Sequence, residues 1–306
     1  MSKVNIVFSG QGSQFVGMGK DFYDADETTK QLFQQANDIL GYSISDICFE
    51  GPDDRLNQTQ YTQVAIFIHS ACIFEQLKSR SFDIHSFAGH SLGEITAYYA
   101  AGVLDFESAL KIVIKRGELM AEAAQKTAGK MAAIIGLSEH DVTSVCENID
   151  GVAIANYNSP VQFVISGESA QVETAMAALN EKGAKRIIEL PVSGAFHSPL
   201  MASAVSPFQD YLRQFSFNDA ATPIILNRIA RPETNASELQ KNLSLQIESP
   251  VRFIEIVHFL SKSSTQFIEV GPGKVLSGLI KKINREYSVQ PTSTLDGVEK
   301  ILTVEV

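Results

Sequence analysis

Residues 86–101 read Ser86-Phe87-Ala88-Gly89-His90-Ser91-Leu92-Gly93-Glu94-Ile95-Thr96-Ala97-Tyr98-Tyr99-Ala100-Ala101. An apolar run leads into Gly89-His90-Ser91-Leu92-Gly93, and residues 94–101 have helix-forming character. The five-residue centre fits G-x-S-x-G, a serine on a tight strand-to-helix turn whose small neighbours let the turn close. At a helix N-terminus, backbone N–H groups and the helix dipole favour negative charge beside that hydroxyl. The same residues would also serve an ordinary turn with a serine N-cap. The strand before and the helix after favour the nucleophile elbow.

Strand and helix patterns alternate outward from this turn, which marks an α/β fold. Residues 4–8 form a short apolar run ending in Ser9-Gly10-Gln11-Gly12. Residues 27–40 carry a helical stripe of Leu32, Phe33, Ala36, Ile39 and Leu40, closed by Gly41. Residues 61–78 and 106–125 read as further helices. The rhythm then changes to strand 131–135, helix 139–148, strands 152–155 and 162–166 around a turn at Asn158-Ser159-Pro160, helix 170–182 and strand 185–190. This β-α-β-β-α-β order is ferredoxin-like. A small domain over 128–195 is therefore expected inside an α/β core built from 1–127 and 196–306. Beyond it come a helix near 200–214, a strand at 223–226, a helix near 250–261, a strand at 266–270 and a last helix at 274–286. The tail after Ser288 carries little pattern.

A chain of 306 residues, 44% hydrophobic and 20% charged, can form about two domains without disulfides or metals. Its net charge of −10 argues against a general nucleic-acid binder. Cys48, Cys72 and Cys146 lie far apart with no zinc-like spacing, so no metal is expected, and the sparse count fits a reducing cytoplasm. No basic leader with a long apolar stretch is visible, and no run reaches the ~18–20 apolar residues of a membrane span.

A serine nucleophile needs a base. Of His69, His85, His90, His140, His197 and His258, the first and last sit in helical patterns, and His85 and His140 lie in polar stretches. His90 adjoins the serine and should point away from its hydroxyl. His197, in Gly194-Ala195-Phe196-His197-Ser198-Pro199, lies where the small domain ends, and is the base by elimination. No acid is obviously paired with it; Asp210, Asp219 and Glu248 stay open. A thioester substrate lessens the need for one, because a thiol of pKa near ~8.5 leaves without full protonation.

Gly10-Gln11-Gly12-Ser13-Gln14 has Phe15 where a dinucleotide loop wants glycine. Its backbone could instead supply an oxyanion donor from Gln11, beside the N–H of Leu92. Gly271-Pro272-Gly273-Lys274 lacks the P-loop spacing. Arg116 falls on the apolar stripe of its helix, near Ile112, Val113, Leu119 and Met120. It could snorkel, pair with Glu118 or Asp105, or hold a substrate carboxylate with its planar fork.

Together, GQGSQ, GHSLGE, RGELM, AFHSPLM and EVGPGKVLSGLIKKI resemble the malonyl-CoA:acyl-carrier-protein transacylase family, in family order over about residues 4–286. The resemblance implies an α/β-hydrolase-like core with a ferredoxin-like small domain. It implies Ser91 as the acylated serine, His197 as general base, Gln11 and Leu92 as oxyanion donors, and Arg116 as the carboxylate-binding residue. It adds Gln246, whose carbonyl would orient the histidine, and Phe196, whose ring would favour malonyl over methylmalonyl. No cofactor is implied; malonyl-CoA and an acyl carrier protein bearing phosphopantetheine would be the partners. An acidic carrier would meet a cationic face, with Lys185, Arg186, Lys274, Lys281, Lys282 and Arg285 as candidates. Ser9 stands where the family commonly has proline, an exchange expected to loosen the turn, and Gly194 stands where one selectivity signature has histidine. Fatty-acid synthesis is the expected setting, with a polyketide loader, an acyl hydrolase and a silent carrier-binding scaffold as alternatives.

Overall fold

The computed structural model describes residues 3–78, 82–192 and 194–303, so the extreme ends of the expected core lie outside the described residues. The first part of the chain runs β1 (Lys3–Phe8), α1 (Lys20–Ala25), α2 (Glu27–Leu40), α3 (Ile44–Phe49), α4 (Asp53–Leu56), α5 (Thr59–Lys78), β2 (Asp83–Gly89), α6 (Gly93–Ala100) and α7 (Phe106–Lys126). A second group follows, with β3 (Gly129–Ile135), α8 (Glu139–Glu147), β4 (Val152–Ser159), β5 (Gln162–Glu168), α9 (Ser169–Glu181) and β6 (Arg186–Glu189). After a 3-10 turn at Pro199–Met201 come α10 (Ala202–Leu212), β7 (Ile224–Ile225), β8 (Pro232–Glu233), α11 (Ala236–Gln246), α12 (Phe253–Ser261), β9 (Gln266–Val270), α13 (Val275–Ile283), β10 (Ser288–Pro291) and α14 (Leu295–Thr303).

The strands form two sheets. One is six-stranded in the order β10-β9-β1-β2-β7-β8, parallel except for β8. The other is antiparallel in the order β4-β5-β3-β6. In β1 the two-residue period sends Val4, Ile6 and Phe8 into the larger core and Val7 into a second core beneath α12 and α13. Both faces of that strand are buried, as in helix-covered parallel sheets. α5 is apolar nearly all round because it is buried nearly all round, against α7, α6 and α2. Local signals set the helix ends: Asp26 caps α2 through Thr29 N–H at 2.7 Å, and Gly41 closes it at φ 70°.

The expected elements of residues 4–270 are present with shifted ends. The turn expected at Asn158-Ser159-Pro160 lies one step later, because β4 runs through Ser159 and turns at 160–161. The helix expected at 274–286 stops at Ile283 and is not the last. β10 adds to the sheet edge beside β9, and α14 buries Val298 and Ile301. That pattern was present in Leu295, Val298, Ile301 and Leu302, and α11 had its signal in the Asn235 cap before Leu239 and Leu243. Among the described residues, no helix is long and apolar enough to cross a membrane.

His69 is fully buried in α5, edge-on to Phe22 at 5.7 Å, and neither ring nitrogen has a partner among the described residues. Burial pushes its pKa from 6.5 down to about 3. Between those values the unfolded chain binds a proton that the native state refuses, so stability falls as pH falls below 6.5, by about 1.4 kcal/mol per pH unit. His69→Leu should therefore lose less Tm than the wild type between pH 7 and pH 5 in thermal unfolding. Parallel losses in the two proteins would refute this.

Candidate active site

The C-terminal ends of parallel strands are where an open α/β sheet places its ligands. Phe8 of β1 lies opposite Gly89 of β2, which sets the turn after β1 beside the turn after β2. The second turn closes only with glycine. A Cβ on Gly89 would sit 1.9 Å from the carbonyl carbon of Gly93, and one on Gly93 would sit 2.2 Å from the Phe8 carbonyl oxygen. Between them Ser91 takes φ 51°, a left-handed conformation that L residues rarely hold.

Ser91 Oγ lies 2.7 Å from His197 Nε2, across 106 residues of sequence. His197 is itself left-handed at φ 58°, and its N–H donates to Ile247 O at 3.1 Å. Its Nδ1 faces two main-chain carbonyls, Gln246 O at 3.1 Å and Ser249 O at 2.9 Å. Nδ1 is therefore the donor, which leaves Nε2 free to accept the serine proton. Among the described residues, no carboxylate hydrogen-bonds His197. Asp210 pairs with Arg213, and Asp219 accepts from Ala236 N–H. Burial, then the Arg116 charge, pushes the imidazole pKa down to about 3. His90 is turned aside, with Nε2 2.8 Å from Asn158 Oδ1 of β4.

Arg116 is 1% exposed, and neither suggested acid pairs with it: Asp105 caps α7 and Glu118 takes Lys115. Its Nη1 donates to Gln63 Oε1 at 2.7 Å, and its Nη2 donates to Gln246 Oε1 at 2.9 Å and to Ser91 Oγ at 3.0 Å. Nε has no partner among the described residues. Burial lowers the guanidinium pKa to about 10, opposed by the charge of Glu94, so it stays cationic at neutral pH. Glu94 is equally buried, and desolvation raises its pKa to about 7.

Several residues of this cluster escaped the sequence reading: Gln63, Glu94, Asn227, Ser249 and the side chain of Gln246. Gln246 Nε2 donates to Ser91 O at 3.0 Å, while Asn227 Oδ1 accepts from Ser91 N–H at 2.7 Å. The one available signal for Asn227 was a polar residue just after strand β7. The N–H groups of Gln11 and Leu92 have no acceptor among the described residues. Beside Gln11 opens a cleft of about 260 Å³, lined by Gln11, His90, Asn158, Val164, Val192 and Leu279 among others. Phe196 is buried next to Gly194 and the base. Ser9 does not loosen its turn: it is buried, and its N–H donates to Val270 O at 3.0 Å, a bond proline cannot make. Among the described residues, no group of three or more His, Cys, Asp or Glu could hold a metal ion.

Comparison with known proteins identifies the family. The profile of the acyl transferase domain family matches residues 6–299. The malonyl CoA-acyl carrier protein transacylase of Staphylococcus aureus is 40% identical over 304 residues, 98% of each chain. The enzyme of the same name from Bacillus subtilis is 41% identical over 98% of this chain and 96% of its own. Among solved structures, the malonyl CoA-acyl carrier protein transacylase of Coxiella burnetii aligns with TM-score 0.95 at 36% identity, over 98% of this chain and 96% of that one. A type II PKS acyl-carrier protein in complex with its malonyl-transacylase gives the same TM-score and identity, over 98% and 99%. By its sequence and by its fold, this chain belongs to the acyl transferase family.

Proposed function

We propose that this protein transfers a malonyl group from malonyl-CoA to the phosphopantetheine thiol of an acyl carrier protein, through an ester on Ser91. One observation carries the reading: a single buried-site hydroxyl lies within hydrogen-bond reach of both a neutral imidazole and a buried guanidinium. His197 Nε2 takes the Ser91 proton as Oγ attacks the thioester carbonyl. The N–H groups of Gln11 and Leu92 hold the oxyanion, an arrangement worth about 10²–10³ in rate per donor. The C–S bond breaks and the departing sulfur takes the proton from His197. The carrier thiol then gives its proton to His197 and attacks the malonyl ester; the C–O bond to Ser91 breaks and Oγ takes that proton from His197.

Arg116 holds the malonyl carboxylate, and its unpartnered Nε supplies donor capacity for that anion. Phe196 narrows the acyl pocket beside the α-carbon. The main-chain carbonyls of Gln246 and Ser249 orient the imidazole, which suits a thiol leaving group that needs little help from an acid. The chemistry asks for no cofactor beyond the thioesters. Arg116 also weighs against an acyl hydrolase, which would have no use for a buried cation beside its nucleophile. The intact Ser91–His197 pair weighs against a silent scaffold.

The order β4-β5-β3-β6, with α8 and α9 packed on the antiparallel sheet, supports the ferredoxin-like reading of residues 128–195. The parallel sheet with Ser91 on a strand-to-helix turn supports the α/β-hydrolase-like reading of the remainder. The cleft lies between these units, and α13 borders it with Leu276 and Leu279 while exposing Lys281 and Lys282. That face suits an acidic carrier whose thiol arm enters the cleft. Fatty-acid synthesis is the setting we favour; a polyketide carrier would use the same chemistry. Three buried free cysteines fit a reducing cytoplasm.

Intact-protein mass after mixing with malonyl-CoA should show one malonyl adduct, absent in Ser91→Ala. A wild-type protein without an adduct would refute the function. In Arg116→Ala the preference for malonyl over acetyl loading should drop about 10- to 100-fold, the value of a charged hydrogen bond; an unchanged preference removes the assigned role. Because His197 stays neutral well below its ordinary 6.5 while Glu94 titrates near 7, kcat/KM for malonyl-CoA in Glu94→Gln, which removes the second titration, should show no step near pH 6.5 and stay level from pH 8 to 5.5. A titration centred at 6.5 would contradict this.

A further inference from the structure

Two peptide planes meet at Ser91, and each is held by a side chain from a distant element. On the N-terminal side, Asn227 Oδ1 accepts from Ser91 N–H at 2.7 Å while its Nδ2 donates to Gly89 O at 2.6 Å. One amide thus bridges the residues on either side of His90. On the C-terminal side, Gln246 Nε2 donates to Ser91 O at 3.0 Å, and Glu94 N–H donates to the same oxygen at 3.1 Å. A peptide plane is rigid and trans, so the Ser91 carbonyl and the Leu92 N–H point in opposite directions. Whatever fixes Ser91 therefore also aims the Leu92 donor.

Asn227 is fully buried, and among the described residues its side chain hydrogen-bonds only to the elbow. Its backbone is anchored on both sides. Its N–H donates to Glu94 Oε2 at 2.5 Å, and its carbonyl accepts from Arg252 N–H at 3.0 Å. We propose that Asn227 is a positioning residue for the acyl transfer: its amide holds Ser91 in the left-handed bend that aims Oγ at His197 and the Leu92 N–H at the developing oxyanion. This inference rests on the acyl-serine reading above.

The test compares full-length wild type, Asn227→Ala and Asn227→Asp, each checked for folding by circular dichroism. Rapid-quench mass spectrometry gives the rate of malonyl loading over a range of malonyl-CoA concentrations. Modification of Ser91 by an aryl sulfonyl fluoride gives a second rate that needs no substrate carboxylate on Arg116. In Asn227→Ala the maximal loading rate should fall about 10- to 100-fold, as small misplacements of reacting groups do, and sulfonylation should slow with it. The half-saturating malonyl-CoA concentration should stay within about twofold. Asn227→Asp keeps the acceptor for Ser91 N–H and loses the donor to Gly89, so its rates should fall between.

Wild-type rates in a folded variant would overturn the proposal. So would a rate loss that merely follows the folded fraction, or failure of both variants to fold, since the amide would then be structural support alone. A wild-type protein that forms no malonyl adduct overturns the proposed function. An adduct in the wild type with unchanged variants overturns only the role of Asn227.

Discussion

The left-handed serine at the end of β2 is the constraint on which the rest of the site depends. An L residue at φ 51° costs on the order of 1–3 kcal/mol, and only over-determined surroundings keep it there. Those surroundings are specific: glycine on both flanks, the Phe8 carbonyl pressed against Gly93, and two side-chain amides on the backbone of Ser91 itself. Any relaxed alternative would move Oγ out of reach of His197. The imidazole has the same character, with a left-handed backbone and two carbonyls dictating its tautomer.

Burying a guanidinium beside the nucleophile is the second demand. Removing a cation from water costs several kcal/mol unless hydrogen bonds and an opposite charge replace the lost hydration. Here Gln63, Gln246 and Ser91 accept from Arg116, and Glu94 adds negative charge nearby in its ionised form, above about pH 7. The shifts follow from this arrangement. Low dielectric raises Glu94, and both burial and the neighbouring cation hold His197 neutral. A base that stays unprotonated and a cation that stays charged suit a substrate with a reactive thioester at one end and a carboxylate at the other.

The two sheets contribute differently. The parallel sheet carries Ser91, the proposed oxyanion donors Gln11 and Leu92, and Asn227 on adjacent strand ends, so their spacing follows from strand register. The antiparallel sheet supplies the opposite wall of the cleft and the Asn158 partner that turns His90 away from Ser91. Ser9 ties β1 to β9 through its N–H, which stiffens the turn bearing Gln11 where the residue type alone suggested looseness.

Local physics made much of this legible. Period-two and helical stripes, glycine closures and the G-x-S-x-G turn located the elements and the sharp bend at Ser91, because each depends on neighbours within a few residues. The apolar stripe around Arg116 already said that a cation faced inward. β10 and α14 were missed, the strand because it is short and at an edge, the helix because its stripe of Leu295, Val298 and Ile301 went unread. What only the tertiary structure decided are the partners of those groups. Which carbonyls hold His197 and which amides hold Ser91 and Arg116 depend on contacts between residues 49 to 155 positions apart. Such contacts leave no periodicity in the chain, because a buried amide is chosen for the geometry around it and not for its neighbours in sequence.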